Sequence, residues 1–504
     1  MRGIVLAVAS ALALLVWAFA TPIGSAPDDD FHLVSSWCAS PTGTGGLCAD
    51  GAEADSRVVP DALRSIRCYY GPEDSAACQS ELDWSLSETV DTTRGNFRGE
   101  YPPLYYSVMG LLASPDILTS ALLMRVLNAA VFLGFAVALW LLLPAYRRPT
   151  LVWSWLVTVV PLGIFLIASN NPSSWAITGV ASSALALLGW YETSGRRRVG
   201  LGIVFALAVL IAAGARADAA LYAGLVIVVV SLLVAEPTRR FLRVAWLPAL
   251  MGLVALGFVL SSQMVASASD GLSAPPTPDA EGRIELAGIA LLAYNLLNLP
   301  LLWTGLLADA GLGWLDVPMP GVVVFGTVAA FVAIGFAALR LMGPRKALAL
   351  VLLGVVLVAL PLYILQAGGN TVGQVVQPRY LLPLIVVFAT VLLLGDRDRP
   401  LVLTRLQGYL VALVLAGSHV VALQLTIRRY VTGSDAAGFD LGAGAEWWWT
   451  GVPGPTLVWL VGSAAFAVLC VVAVPLLTAP AVVGSAGEHG LRLVAGPRDE
   501  RWLR

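Results

Sequence analysis

MRGIVLAVASALALLVWAFATPIGSAPDDDFH, residues 1–32, sets an unbroken apolar run directly before three consecutive carboxylates and a histidine. The run from 4 to 20 is close to the ~20 residues a helix needs to cross ~30 Å of hydrocarbon. Only Arg2 precedes it. Gly24-Ser25-Ala26 offers the small residues of a signal-peptide cut, but the apolar run exceeds the ~7–15 residues of a signal core, so an uncleaved first span is expected. Just beyond it, Asp28, Asp29 and Asp30 repel one another, and packing alone does not require them. Adjacent carboxylates raise one another's pKa or hold a cation or a polar hydroxyl. General bases and metal sites are built in that way.

Runs of similar length recur along the chain. Of 504 residues, 58% are hydrophobic and 12% charged, with a mean hydropathy of +0.81. A soluble domain carries about 25% charge. The fold class is therefore an all-α polytopic membrane protein. The net charge of −2 hides an asymmetry along the chain. Lys346 is the only lysine, and the heavy use of Arg, Ala, Val, Leu and Gly points to a GC-rich genome such as that of an actinobacterium.

Cytoplasmic loops collect Arg and Lys. The clusters are Arg147-Arg148, Arg196 to Arg198, Arg239-Arg240 with Arg243, Arg345-Lys346, Arg397 with Arg399, and a tail with Arg492, Arg498, Arg501 and Arg504. Placing all of them inside predicts twelve spans, near 4–20, 117–143, 151–169, 173–193, 200–214, 218–235, 244–266, 321–342, 347–366, 380–395, 401–425 and 455–478. Both termini then lie in the cytoplasm, in a multi-pass protein of the plasma membrane. Residues 284–308 are apolar enough to span, yet a crossing there would move every later basic cluster outside. They read as a re-entrant or surface-lying segment on the outer side, interrupted near Pro300, where irregular backbone must be buried or face a cavity. A true span with another span misread elsewhere is the alternative. The expected organisation is a first helix at 1–20, an extracytoplasmic loop at 21–103, a bundle at 104–478 and a cytoplasmic tail at 479–504.

The long loop is acidic and holds Cys38, Cys48, Cys68 and Cys78. Four cysteines in an exported loop imply two disulfides, for which three pairings exist. The equal spacing favours Cys38–Cys48 and Cys68–Cys78. A zinc site is the rival, but it lacks the tight Cys-x-x-Cys spacing of such sites. Cys470 reads as an inert buried thiol. The loop leaves through Glu100-Tyr101-Pro102-Pro103-Leu104-Tyr105-Tyr106, whose tyrosines suit a membrane interface. An aromatic anchor and a substrate-facing role both remain open for them.

Polar residues elsewhere sharpen the picture. Arg125 lies well inside the second span, where a charge faces the bundle interior or a cavity, with Asp116 as its expected partner. Arg216-Ala217-Asp218 reads as an outer hairpin, its charges open to a surface ion pair or to function. Ser169-Asn170-Asn171-Pro172-Ser173-Ser174 is an outer turn able to cap a helix or bind sugar hydroxyls. Arg379, followed by Tyr380, defies the positive-inside trend at a helix start, which suits an anionic phosphate. Trp447-Trp448-Trp449 reads as an interfacial belt and His419 as a packed helix residue. No Gly-rich phosphate loop, His-Glu-x-x-His motif or nucleophile elbow occurs, and no basic patch suits nucleic acid.

Several of these motifs, taken in order, carry a resemblance. They are Pro27-Asp28-Asp29-x-x-His32, Glu100 to Tyr106, Arg125, Asn171-Pro172-Ser173, Gly313-Trp314-Leu315-Asp316 and Pro378-Arg379-Tyr380. The chain resembles a predicted-membrane-protein family of unknown function, widespread in actinobacteria and similar to the GT-C glycosyltransferases. The resemblance implies a GT-C-like bundle of about twelve helices with a long first outer loop. It implies transfer of a sugar from a polyprenyl-phosphate donor to a glycan or lipid acceptor of the cell envelope at the outer face. Asp28 and Asp29 would be catalytic, with Asp29 standing where many relatives carry Glu. His32, Glu100, Tyr101, Tyr105, Arg125, Asn171, Arg379 and Tyr380 would bind substrate. No cofactor is fixed by the pattern; a divalent cation is one option, and Asp29 and His32 would then be its ligands. A transporter or flippase of envelope precursors, and a non-catalytic assembly protein, remain the alternatives. The expected partners are the lipid donor, the acceptor and membrane lipids, with no nucleic acid.

Overall fold

A computed structural model describes residues 1–40, 48–71, 73–84, 86–236, 238–261, 286–305, 311–435 and 438–478. The tail expected at 479–504 and the edges of the segment at 284–308 lie outside the described residues, as do residues 262–266 of one expected span. Among the described residues, eight helices are long and apolar enough to cross a membrane: Arg2–Phe19, Ile117–Leu142, Gly195–Ala215, Ala217–Val234, Gly321–Leu341, Pro344–Ala367, Arg405–Thr432 and Pro455–Leu476. Trp246–Ser261, Gly288–Thr304 and Pro378–Leu392 are shorter apolar segments. Helix Ser173–Glu192 is buried on every face from Ser173 to Trp190. A helix wrapped on all sides in this way belongs at the centre of a bundle.

One expected span is not a single helix. Residues 151–169 divide into Arg148–Leu156 and Leu162–Ile167. Pro161 ends the gap between them, because it has no N–H to donate and disfavours a helical residue before it. In sequence the intervening Val157-Thr158-Val159-Val160 is as apolar as its flanks, so hydropathy passes over the break.

The central helix packs on its neighbour through small residues. A Cβ at Gly179 would stand 2.5 Å from the Ala208 carbonyl oxygen and 2.8 Å from the Ala212 Cβ. Close backbone approach of this kind supplies van der Waals contact where lipid removes the hydrophobic drive for helices to associate.

The bundle has two chemically distinct ends. At one, Arg147 pairs with Glu192 and donates to the Gly395 carbonyl at 2.8 Å, while Lys346 donates to the Leu394 carbonyl at 2.8 Å. The other end gathers the turns at 20–28, 170–172, 216, 311–317 and 370–379. The described part of the segment at 284–308 lies at this second end, as helices Gly288–Asn298 and Pro300–Thr304 meeting at Leu299-Pro300. Asn295 ties it there: its Nδ2 donates to the Asn370 carbonyl and its Oδ1 accepts from the Val372 N–H, both at 2.9 Å. Leu291, Leu299 and Leu302 face inward, while Ile289 and Leu297 are exposed.

The long loop folds over the second end. Strands Ala49–Asp50, Arg57–Pro60 and Thr89–Thr92 form an antiparallel sheet in that order, with Val58 opposite both Ala49 and Asp91. Disulfides join Cys38 to Cys48 and Cys68 to Cys78, which is the favoured pairing and sets the zinc alternative aside. Cys470 is buried and free. Trp448 and Trp449 are buried, so the expected belt is mostly a packed cluster.

Overpacking a tight contact costs roughly 1–3 kcal/mol. Gly179→Val should therefore lower the thermal midpoint of the detergent-solubilised protein, while Gly134→Ala, where a Cβ meets open space, should leave it unchanged. Equal midpoints for the two variants would contradict the close approach. Non-reducing peptide mapping should recover Cys38 linked to Cys48 and Cys68 linked to Cys78.

Candidate functional site

Where the first helix ends, the chain runs from Ala20 to Pro27 through buried surroundings, and most of its carbonyls have no sheet or helix partner. Buried backbone oxygens require donors, and side chains from distant segments supply them. Arg125 Nη1 donates to Ala18 and Thr21 at 2.9 and 2.8 Å, and its Nη2 donates to Pro22 at 2.6 Å. Trp449 Nε1 donates to Phe19 at 2.8 Å. Tyr69 Oη and Gln79 Nε2 donate to Ile23 at 3.0 and 2.6 Å. Trp314 Nε1 donates to Gly24 at 2.8 Å, and Asn171 Nδ2 and Arg379 Nη1 donate to Pro27 at 2.7 and 3.0 Å.

This cradle presents Asp28 at the start of helix Asp29–Cys38 with φ of 64°. That is the left-handed region, which Asp tolerates better than most residues but at a cost, and such conformations cluster at functional sites. The turn divides the three carboxylates. Asp28 is about one-third exposed; its Oδ2 accepts from Arg379 Nη2 at 2.6 Å and its Oδ1 from Arg94 Nη2 at 3.1 Å. Asp30 accepts from Arg94 Nε and Nη2 at 2.5 and 2.9 Å and from Arg64 at 2.8 Å. Asp29 turns inward and is fully buried, 4.0 Å from Arg125, with its Oδ2 accepting from the Ala26 N–H at 3.3 Å.

The environments separate their protonation. Burial disfavours the Asp28 carboxylate, but the charges of Arg379 and Arg94 outweigh it and hold its pKa down at about 2. Burial pushes Asp29 up to about 7, against the opposing charge of Arg125. His32 is fully buried, which lowers its pKa to about 3 and keeps the ring neutral. Its Nδ1 meets the Tyr106 hydroxyl at 2.9 Å, and its Nε2 has no hydrogen-bond partner.

Above Asp28 lies an aromatic and cationic wall. Arg216 and Arg379 both lie against the Tyr380 ring, 4.8 and 5.2 Å from its centre, and Arg216 also lies 5.6 Å from that of Tyr101. Tyr101 is fixed by Asn96, which accepts from its N–H at 2.8 Å and donates to its carbonyl at 2.9 Å.

The expected residues thus divide. Asp28, Arg379, Tyr380, Asn171, His32 and Tyr101 come together, and Glu100 is half-buried beside Tyr101. Arg125 stands apart from that group: it caps the first helix and balances Asp29, fully closed off from solvent. Asp116 does not pair with it and instead caps helix Ile117–Leu142, accepting from the Thr119 N–H at 3.0 Å. Tyr105 is buried against Trp175 and accepts from Asn128 at 3.3 Å. Arg216 is no surface residue; it is 2% exposed and pairs with Asp218. Among the described residues, no three His, Cys, Asp or Glu side chains are placed to hold a metal ion. Asp29 faces Arg125 through Oδ2 and His32 meets Tyr106 through Nδ1, while Asp29 Oδ1 and His32 Nε2 keep no hydrogen-bond partner. Arg64 and Arg94 did not stand out in sequence, although arginines in a loop expected outside break the same charge trend as Arg379.

A family model described as Predicted membrane protein (DUF2142) matches residues 12–388. The chain belongs to this family. The match begins inside the first helix and ends inside Pro378–Leu392, so the DUF2142 region contains both sides of the Asp28–Arg379 pair. Among curated proteins, none matches the chain.

Asp29 and His32 give this site opposite pH signatures. With a folded pKa of about 7 against an ordinary 3.8, Asp29 removes stability as pH rises between those values. With about 3 against 6.5, His32 removes stability as pH falls between those values. His32→Asn should therefore leave a melting midpoint that drops as pH rises from about 4.5 to 6.5, and Asp29→Asn one that drops as pH falls over that range. Parallel slopes in the two variants would show that these groups are not closed off as described.

Proposed function

We propose that this DUF2142 protein is a GT-C-like glycosyltransferase, moving a sugar from a polyprenyl-phosphate donor to an envelope acceptor at the outer face of the membrane. The Asp28–Arg379 ion pair at 2.6 Å carries the reading, because it unites a carboxylate and a guanidinium 351 residues apart at the end of the bundle away from the basic loops. In this reading the acceptor hydroxyl gives its proton to Asp28. Its oxygen forms a bond to the anomeric carbon, and the bond from that carbon to the donor phosphate breaks. The phosphate leaves with the bonding electrons, and Arg379 neutralises it.

The ion pair also orders these events. While Arg379 and Arg94 both hold Asp28, its carboxylate is a weak base. A donor phosphate that draws Arg379 away removes one of the two charges depressing its basicity. Base strength then rises when donor is present. Asn171 and Arg379 both grip the Pro27 carbonyl, so the residue that holds the donor also positions the base.

The reading is tested in proteoliposomes with a panel of polyprenyl-phosphate sugars. Removing a general base typically costs ~10²–10⁴-fold in rate. Asp28→Asn should lose transfer to that extent and retain donor binding, whereas Arg379→Gln should weaken donor binding. Full transfer by Asp28→Asn would remove Asp28 as the base. Directional uptake of a sugar lipid without bond cleavage would favour a flippase instead.

A further inference from the structure

Arg216 has no role in the mechanism above, yet its surroundings resemble those of Arg379. Both side chains are 3% exposed. Both guanidiniums lie against Tyr380, within 5.2 Å of one ring centre. Each is held on one edge: Arg216 Nε and Nη2 donate to Asp218 at 2.9 and 2.8 Å, and Arg379 donates to Pro27 and Asp28. Each also keeps a buried nitrogen with no hydrogen-bond partner, Nη1 in Arg216 and Nε in Arg379. A buried, charged donor left unsatisfied is expensive, so each of these nitrogens favours an acceptor oxygen beside it.

One helix start adds to the field. Gln377 precedes Pro378–Leu392, whose start has no side-chain cap, whereas at the start of Ala217–Val234 the Asp218 carboxylate accepts from the Ala219 N–H at 2.8 Å as well as from Arg216. The open start of Pro378–Leu392 and the two guanidiniums favour one kind of ligand, a compact anion with several oxygens. The planar fork of Arg matches a phosphoryl group in particular.

Resting on the transferase reading, we propose that Arg216 and Arg379 form a two-arginine clamp, with Tyr380 as its shared wall, which binds the phosphoryl group of a phosphorylated lipid. Arg379 also answers to Asp28 and Arg216 to Asp218. The clamp therefore exchanges carboxylate partners for phosphate oxygens on binding, and Asp218 competes with the ligand for Arg216.

The experiment uses the full chain in nanodiscs of neutral phosphatidylcholine and follows intrinsic tryptophan fluorescence during titration with farnesyl phosphate, farnesyl diphosphate or inorganic phosphate. Arg216→Gln should weaken farnesyl phosphate binding about tenfold to a hundredfold, the range for a lost hydrogen bond to a charged group. Arg216→Lys should fall between Gln and the wild type. Asp218→Asn should tighten binding severalfold, an outcome that a purely structural Arg216 would not produce. Inorganic phosphate binding as tightly as farnesyl phosphate would overturn the lipid assignment.

If Arg216→Gln does not fold, Asp218→Asn decides: unchanged affinity there overturns the clamp. If the wild type binds farnesyl phosphate and Arg379→Gln loses it while both Arg216 and Asp218 variants match the wild type, the clamp fails and the transferase reading stands. Absence of phosphate-lipid binding in the wild type defeats both.

Discussion

The second end of the bundle depends on the need to satisfy the carbonyl oxygens between Ala18 and Pro27. A chain leaving a membrane helix normally turns into water, which solvates its last carbonyls. Here the exit is buried beneath the loop at 48–103, so every donor must come from protein. Arg125, Trp449, Tyr69, Gln79, Trp314, Asn171 and Arg379 come from seven separate places in the chain and meet on this one strand of backbone. Each donor is itself anchored. Arg429, for example, holds Asp316 at 3.1 Å, and Asp316 accepts from the Trp314 N–H at 2.9 Å.

Charge follows from that scaffold. With the backbone at 27–28 fixed, the left-handed turn at Asp28 sends successive carboxylates to opposite environments. Asp28 and Asp30 meet arginines near solvent, and Asp29 meets Arg125 in the interior. Like charges adjacent in sequence are thereby kept apart in space. Alternation of Arg64, Asp30, Arg94, Asp28 and Arg379 forms a chain of ion pairs that leads from the disulfide-bonded loop into the bundle. Hydrogen bonds of this charge-assisted type are stronger than neutral ones and fix orientation as well as position.

Much of this was legible in the sequence, and the limits are physical. The helical membrane class, the cysteine pairing and the shared location of Asp28 and Arg379 followed from hydropathy, spacing and the sidedness of arginine. The break before Pro161 was hidden because Val157 to Val160 are as apolar as a helix interior. Arg125 was seen as an intramembrane charge, but its partners are mainly carbonyls, and backbone oxygens leave no mark in a sequence. Arg216 beside Asp218 read equally well as a surface ion pair or as a functional pair. Its significance comes from Tyr101 and Tyr380, which only the packing of separate helices brings to it.

The cradle also bears on how such a chain is born. The carbonyls at 18–27 emerge from the ribosome with the first segment, while their last donors, Arg379 and Trp449, arrive hundreds of residues later. Nascent chains therefore pass through a long stage in which this exit strand is open and must borrow water or lipid headgroups. Contacts so distant in sequence form slowly and late. A protein assembled in this order completes this corner of the bundle only when insertion is nearly finished.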